Sequence, residues 1–152
     1  ERVIINTAYF SIKPKLLWRQ TAQYPICVVD TNGRYFGRSI QAAIIKSNYN
    51  DVISYEYLCC VLNSKYVRYL YNKKVHETGR VFPQVKLENL KSLPIVIPTE
   101  EEHKNIKEFY EKILENHEKG EYPNWVQKMN AYVYQLYELS SEEIALVEES
   151  VK

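Results

Sequence analysis

The sequence predicts an α+β fold. Its β-rich module, a twisted, mainly antiparallel sheet or partial barrel, carries an internal helix and is followed by amphipathic C-terminal helices. Three observations predict this. Residues 2–46 are short apolar and β-branched runs cut by turn residues. Residues 54–72 repeat apolar side chains at steps of three and four. Residues 99–151 do the same, in segments opened by capping sequences.

Val3-Ile4-Ile5 and Tyr9-Phe10 with Ile12 read as strand-like runs, and Pro14 ends them. Lys15–Thr21 and Ile26–Asp30 read as strands, the second closed by the turn Asp30-Thr31-Asn32-Gly33, where Asn-Gly supplies positive φ. Tyr35-Phe36 and Ser39–Ile45 continue the strand pattern. Ser54 caps a helix carrying Leu58, Val61, Leu62, Tyr66, Tyr69 and Leu70. A polar loop comes next, then a short amphipathic stretch (Leu87–Leu93) and Pro94–Pro98, which reads as an edge strand. Thr99 with Glu102 opens a helix that Gly120 stops, Asn124 caps the next, and Ser140 with Glu143 opens a last helix ending near Val151.

At 152 residues the chain is one domain. It divides into a basic β-rich module (1–98) and an acidic helical segment (99–152) packed on it. Residues 1–98 hold 14 Lys+Arg against 6 Asp+Glu, and residues 99–152 hold 6 against 13, so the net charge of +1 conceals a strong asymmetry. Such asymmetry points to an anionic partner for the basic part. No apolar run is long enough to span a membrane. The opening Glu-Arg-Val has neither an initiator Met nor the pattern of a signal peptide, which predicts a piece of a longer protein. Cys27, Cys59 and Cys60 make a poor disulfide framework and no zinc spacing exists, so we expect core thiols, a cytoplasmic setting and no metal.

No catalytic pattern emerges. The four glycines allow no phosphate-binding loop, and no nucleophile elbow is present. Glu102-His103-Lys104 offers half of a metal-dependent nuclease site, but Glu102 has a capping role and no partnering Asp lies nearby. The basic residues, by contrast, are interleaved with aromatics and amides. Lys13, Lys15, Arg19, Gln20, Arg34, Tyr35, Arg38, Lys73, Lys74, His76, Arg80 and Gln84 are the candidate contacts to double-stranded DNA. Lys and Arg neutralise phosphates, while Arg and Gln pair with purine edges in the major groove. The polar 73–86 loop is the best single candidate. Tyr66, Tyr69, Tyr132 and Tyr137 lie on helix stripes and read as core, whereas Tyr35 and Tyr49 lie among turns and stay open.

Several segments carry a resemblance. Lys15-Leu16-Leu17-Trp18-Arg19-Gln20-Thr21 with Ile26–Asp30 resembles a Lys-Ile-Leu-x-Arg-Gln-Thr strand followed by an Asp-ending strand. Tyr57–Lys65 resembles Tyr-Leu-x-x-Leu-Leu-Asn-Ser-Lys. Phe82–Lys86, Leu90, Leu93-Pro94-Ile95 and Pro98 resemble Phe-x-Gln-Ile-Lys … Leu … Leu-Pro-Ile-x-x-Pro. Glu102-His103 with Ile106 resembles a Glu-Gln-x-x-Ile helix start. Val133–Ile144 is similar to Val-Tyr-x-Leu-Tyr-x-Leu-Thr-x-Glu-Glu-Ile, with Glu138 where Gly is common and, at the helix start, His103 where Gln is common. In this order they resemble the TaqI-like C-terminal specificity domain of type II and IIG restriction-modification DNA adenine methyltransferases, related to type I specificity subunits. The resemblance implies a target recognition domain. It implies an upstream domain of the same protein that binds S-adenosylmethionine and methylates adenine, with or without an attached endonuclease. That domain's Asn-Pro-Pro-Tyr-like motif is absent here, so no cofactor is expected on this chain. The runner-up, from another class, is a protein-interaction module that docks a partner through its helical half.

Overall fold

The sheet is built around strand β1 (Lys15–Arg19), which pairs antiparallel with β2 (Cys27–Asp30) on one side and β3 (Ile40–Ala43) on the other. The structure is a computed structural model and describes residues 7–75 and 83–151. Leu17 sits opposite Val28 and Ala42, and Lys15 opposite Asp30. As the central strand, β1 is buried at Lys15, Leu16, Leu17 and Trp18, and only Arg19 reaches solvent. Its inner face, Leu16 and Trp18, joins Cys27 and Val29 in the main core. The Trp18 indole N–H donates to the Val85 carbonyl at 3.3 Å.

Short helix α1 (Thr7–Ser11) precedes the sheet. Helices α2 (Tyr55–Leu62), α3 (Lys65–Lys74), α4 (Leu87–Lys91), α5 (Glu100–His117), α6 (Tyr122–Leu136) and α7 (Ser141–Ser150) come after it. Helix α2 packs on the inner face of the sheet, α5 on α2, and α6 on α5. The core is continuous across residue 98: Tyr57, Val61 and Val67 share one cluster with Ile106, Met129 and Val133. Tyr66, Tyr132 and Tyr137 pack on that cluster and Tyr69 on a smaller one with Tyr134, Val147 and Val151, while Tyr35 and Tyr49 are exposed.

The local signals hold where donor and acceptor are near in sequence. Ser54 caps α2, and Thr99–Glu102 and Ser140–Glu143 form reciprocal capping boxes on α5 and α7. Several expectations are corrected. Residues 7–11 are helical rather than extended, Tyr35-Phe36 form no strand, and Ser39–Ile45 contribute only Ile40–Ala43. Asn32-Gly33 redirects the chain, but it leaves the sheet there instead of folding back to pair with β2, whose second edge is taken by a side chain from a helix. The 54–72 helix breaks at Asn63, where Ser64 caps a second helix, α3. Pro94–Pro98 joins no strand, and α6 starts at Tyr122 with Pro123 in its first turn, so Asn124 lies inside the helix. Val3–Ile5 lie outside the described residues.

The break at Asn63 has a physical cause. Its side-chain Oδ1 accepts from the Cys27 N–H and its Nδ2 donates to the Cys27 carbonyl, both at 2.8 Å. The amide thus closes the free edge of β2 as a neighbouring strand would. The three thiols are free and buried, and burial pushes all three up, Cys59 to about 12. On the far side, the Tyr134 hydroxyl donates to Glu148 at 2.6 Å, Glu148 also pairs with Lys65, and Asn130 accepts from the Lys65 N–H at 2.7 Å, so α3, α6 and α7 are bound together.

Two helices end alike with different residues. After α5, the Gly120 N–H reaches the His117 carbonyl and the Glu121 N–H the Asn116 carbonyl, each at 3.2 Å. After α6, Glu138 and Leu139 make the same pair to Gln135 and Tyr134, at 2.9 and 3.0 Å. This ending demands a left-handed residue, and φ is +73° at Gly120 and +53° at Glu138. Glu138 therefore bears the steric cost that glycine escapes. Glu138→Gly should raise stability by about 1 kcal/mol and Gly120→Ala lower it by a similar amount, read from urea midpoints. A destabilised Glu138→Gly variant contradicts this. Asn63→Ala strips two bonds from the β2 edge and should cost about 1–2 kcal/mol, seen as a lower urea midpoint with an unchanged slope.

Burial by itself pushes the Asp30 carboxyl up, but Lys15 and the amides of Asn32 and Arg34 outweigh it and hold the group below the usual carboxylate value. A carboxyl depressed in the folded state stabilises the fold above its unfolded pKa, about 3.9, and loses that contribution as pH falls toward its own lower value. Stability should therefore drop below about pH 4, and Asp30→Asn, less stable at neutral pH, should show a shallower acid fall. Parallel midpoint-versus-pH curves for the two proteins refute this.

Candidate nucleic-acid interface

Residues Lys15, Leu17 and Arg19 of β1 point to the outer face of the sheet, opposite α2, because side chains alternate along a strand. Two charges of the same sign on that face have opposite fates. Lys15 is fully buried, pairs with Asp30 at 2.7 Å and donates to the carbonyls of Phe10 at 2.6 Å and Ile12 at 3.0 Å. Its three protons are all engaged within the chain, so Lys15 is a structural cation and the expectation that it contacts DNA is corrected. Arg19 lies at the open end of the same face and is exposed.

Around Arg19 the structure gathers further predicted residues. Arg19, Arg34, Tyr35 and Phe36 border a hollow of about 290 Å³ floored by Leu17, Val28 and Ile40. Tyr35 is 68% exposed, and its ring stacks on Phe10 of α1 with centroids 5.1 Å apart. Asn32 and Arg34 donate their backbone N–H groups to the Asp30 carboxylate at 3.1 and 2.8 Å, which sets the course of the loop that carries Arg34 and Tyr35. Gly33 sits at φ +72°, and a Cβ there would lie 3.4 Å from the Ser11 carbonyl, so glycine serves both the turn and the close approach to α1.

The end of β1 also collects the amides and the remaining loop. Gln20 N–H donates to the Ser39 carbonyl at 2.8 Å, which brings exposed Arg38 alongside. Thr21 bridges to Gln84, the Val85 N–H reaches the Gln20 carbonyl, and the Ala22 N–H reaches the Pro83 carbonyl. At the C-terminus of α3, Tyr71 donates to the Gln84 carbonyl at 3.3 Å. Exposed Lys73 lies 5.6 Å from the Tyr69 ring, and Lys74 donates to the Ser92 carbonyl at 3.1 Å. Lysines suit this position, where helix carbonyls are unpaired. The residues that follow segment 76–82 thus sit beside Gln20, while His76 and Arg80 lie outside the described residues.

Lys13 stands apart. It precedes β1 at the opposite end from Arg19, beside Ile45, Ser54 and Glu56. Arg68, which nothing in the helical stripe singled out, stacks on Tyr24 of the loop after β1 at 3.9 Å. Its Nε is buried and has no hydrogen-bond partner among the described residues. Its one available signal is an arginine placed next to Val67 on the buried side of an amphipathic helix.

The residues weighed as half a nuclease site are engaged in holding the fold. Glu102 closes the α5 capping box, and His103 Nε2 accepts from the Ser54 N–H at 2.9 Å. Among the described residues no group of three or more His, Cys, Asp or Glu is placed to hold a metal, and no helix is long and apolar enough to cross a membrane.

No curated protein matches the chain. Residues 3–95 match the TaqI-like C-terminal specificity domain. That is more than half of the sequence, and the chain belongs to this family of restriction-modification specificity domains, whose role implies DNA binding.

Proposed function

We propose that this chain reads a DNA duplex with the outer face of its sheet and the Arg19 end of β1. In this role it places a target adenine before a methyltransferase domain lying upstream in the same type II enzyme, in the cytoplasm. The observation that carries the proposal is the convergence of Arg19, Arg34, Tyr35, Arg38, Gln20 and Gln84 at one end of one strand, from segments up to 65 residues apart in sequence. Phosphates take the cations, and Arg and Gln carry the donors that distinguish purine edges. The upstream domain supplies the methyl donor and the chemistry. Methylation requires the base to leave the stack, so the domain's contribution is register and grip on the flanking duplex. The helical half is less suited to partner docking, because the stripes of α5 and α6 already bury Ile106, Met129 and Val133 in the chain's own core.

A salt titration tests this. If the face neutralises about five phosphates, the logarithm of affinity for a duplex of about 25 base pairs should fall with log salt at a slope near −4 to −5. Substituting Arg19, Arg34 and Arg38 together by Ala should weaken binding at least about 10-fold and flatten the slope by about 3. A triple variant with unchanged affinity and slope removes the face from the interface.

A further inference from the structure

We propose that Lys15 and Asp30 are a positioning pair: they hold the loop after β2 in one geometry so that Arg34 and Tyr35 meet the duplex already ordered. This rests on the duplex-reading role proposed above. One carboxylate, 1% exposed, organises three segments. Its Oδ1 accepts from Asn32, and its Oδ2 accepts from Arg34 and from Lys15. Lys15 in turn fastens the end of α1 through the carbonyls of Phe10 and Ile12. The Phe10 ring stacks on Tyr35 and lies 4.9 Å from the Phe36 centroid. The loop is therefore clamped twice, by its backbone amides from below and by its rings from the side.

A core does not need an ion pair here. Apolar residues of similar volume often replace a buried pair without loss of stability. What they cannot replace are the two directional acceptors aimed at the amides of Asn32 and Arg34. An interface built on a long arginine and an exposed tyrosine gains from such ordering, because the entropy of fixing the loop is already lost before the duplex arrives. Lys15 and Asp30 act through Arg34 and Tyr35 and touch no DNA themselves.

The test uses the full chain and two duplexes of about 25 base pairs: one enriched by the wild-type chain from a randomised pool, and one of scrambled sequence. Asp30→Ala alone strands the Lys15 charge and is expected to unfold. The informative variant is Lys15→Met with Asp30→Leu, which removes both charges and both acceptors. It should unfold cooperatively on heating, while hydrogen exchange at the Arg34 amide accelerates about 10-fold or more. Affinity for the enriched duplex should fall about 10-fold and for the scrambled duplex less than about 3-fold, so that preference is lost rather than charge. Phe10→Ala, which leaves the ion pair intact and opens the ring stack, should move preference in the same direction. A folded double variant with wild-type preference overturns the proposal. If the double variant does not fold, wild-type preference in Phe10→Ala overturns it instead. The outcome for the duplex-reading role is separate. If the Arg19, Arg34 and Arg38 variant binds both duplexes like wild type, that role fails, whatever the exchange data show about the loop.

Discussion

Everything in this fold depends on β1 being a central strand of five residues with cover on both faces. A strand in that position must bury four consecutive side chains, and one of them is a lysine. An unpaired ammonium in such a place is very costly, so the chain must bring a carboxylate to it. Asp30 arrives because the antiparallel register sets it directly opposite Lys15. The helix before β1 and the residue that follows it supply the remaining acceptors. Cover on the outer face is complete only at this end. At the other end the face is open, and Arg19, four residues further along the same strand, remains in water. The division of β1 into an anchored end and an exposed end is what leaves room for the candidate interface.

The same division explains what could be read from the residues alone. Capping boxes at Thr99–Glu102 and Ser140–Glu143 were legible because donor and acceptor are three residues apart. The existence of β1 and β2 was legible from apolar runs of the right length. The fate of Lys15 was not. In sequence, Lys15 and Arg19 are two cations of the same phase on one strand, and only the pairing with a carboxylate 15 residues away distinguishes them. The break between α2 and α3 was hidden for a similar reason. The apolar stripe runs through it, and the demand that ends the first helix comes from a strand edge 36 residues earlier. Tyr9–Ile12 reads as strand because so short an apolar run fits either period. The region of the candidate interface was thus visible as a mixture of Arg, Gln and Tyr, while its membership depended on register and return paths.

Two solutions to one backbone problem sit in the acidic half. Gly120 and Glu138 occupy equivalent left-handed positions at helix ends. The sequence pattern that Val133–Ile144 resembles has Gly where this chain has Glu138, and the observed φ supplies a reason for glycine there. Leu139 packs with Tyr134 beyond the turn, and Tyr134 is bound through Glu148 to Lys65. That packing keeps the turn in place despite its unfavourable residue, so α7 stays fixed to α3, the helix that carries Lys73 and Lys74 at its far end.

The layer order then determines how a polyanion meets the molecule. From outside inward come the loop with Arg34 and Tyr35, the sheet, α2, α5 and α6. The exposed carboxylates of Glu108, Glu111 and Glu115 lie on α5, and Glu118 caps its end, beyond the sheet and α2 from Arg19. The charge asymmetry of the sequence becomes in part an asymmetry in space, because α5 lies behind α2 and the sheet, whereas acidic α7 packs on α3. In the proposed role, charges arranged in this way orient an approaching duplex before contact and disfavour approach by the acidic helix. A nearly neutral chain can therefore carry charge that differs from face to face, and its modest net charge says little about any one of them.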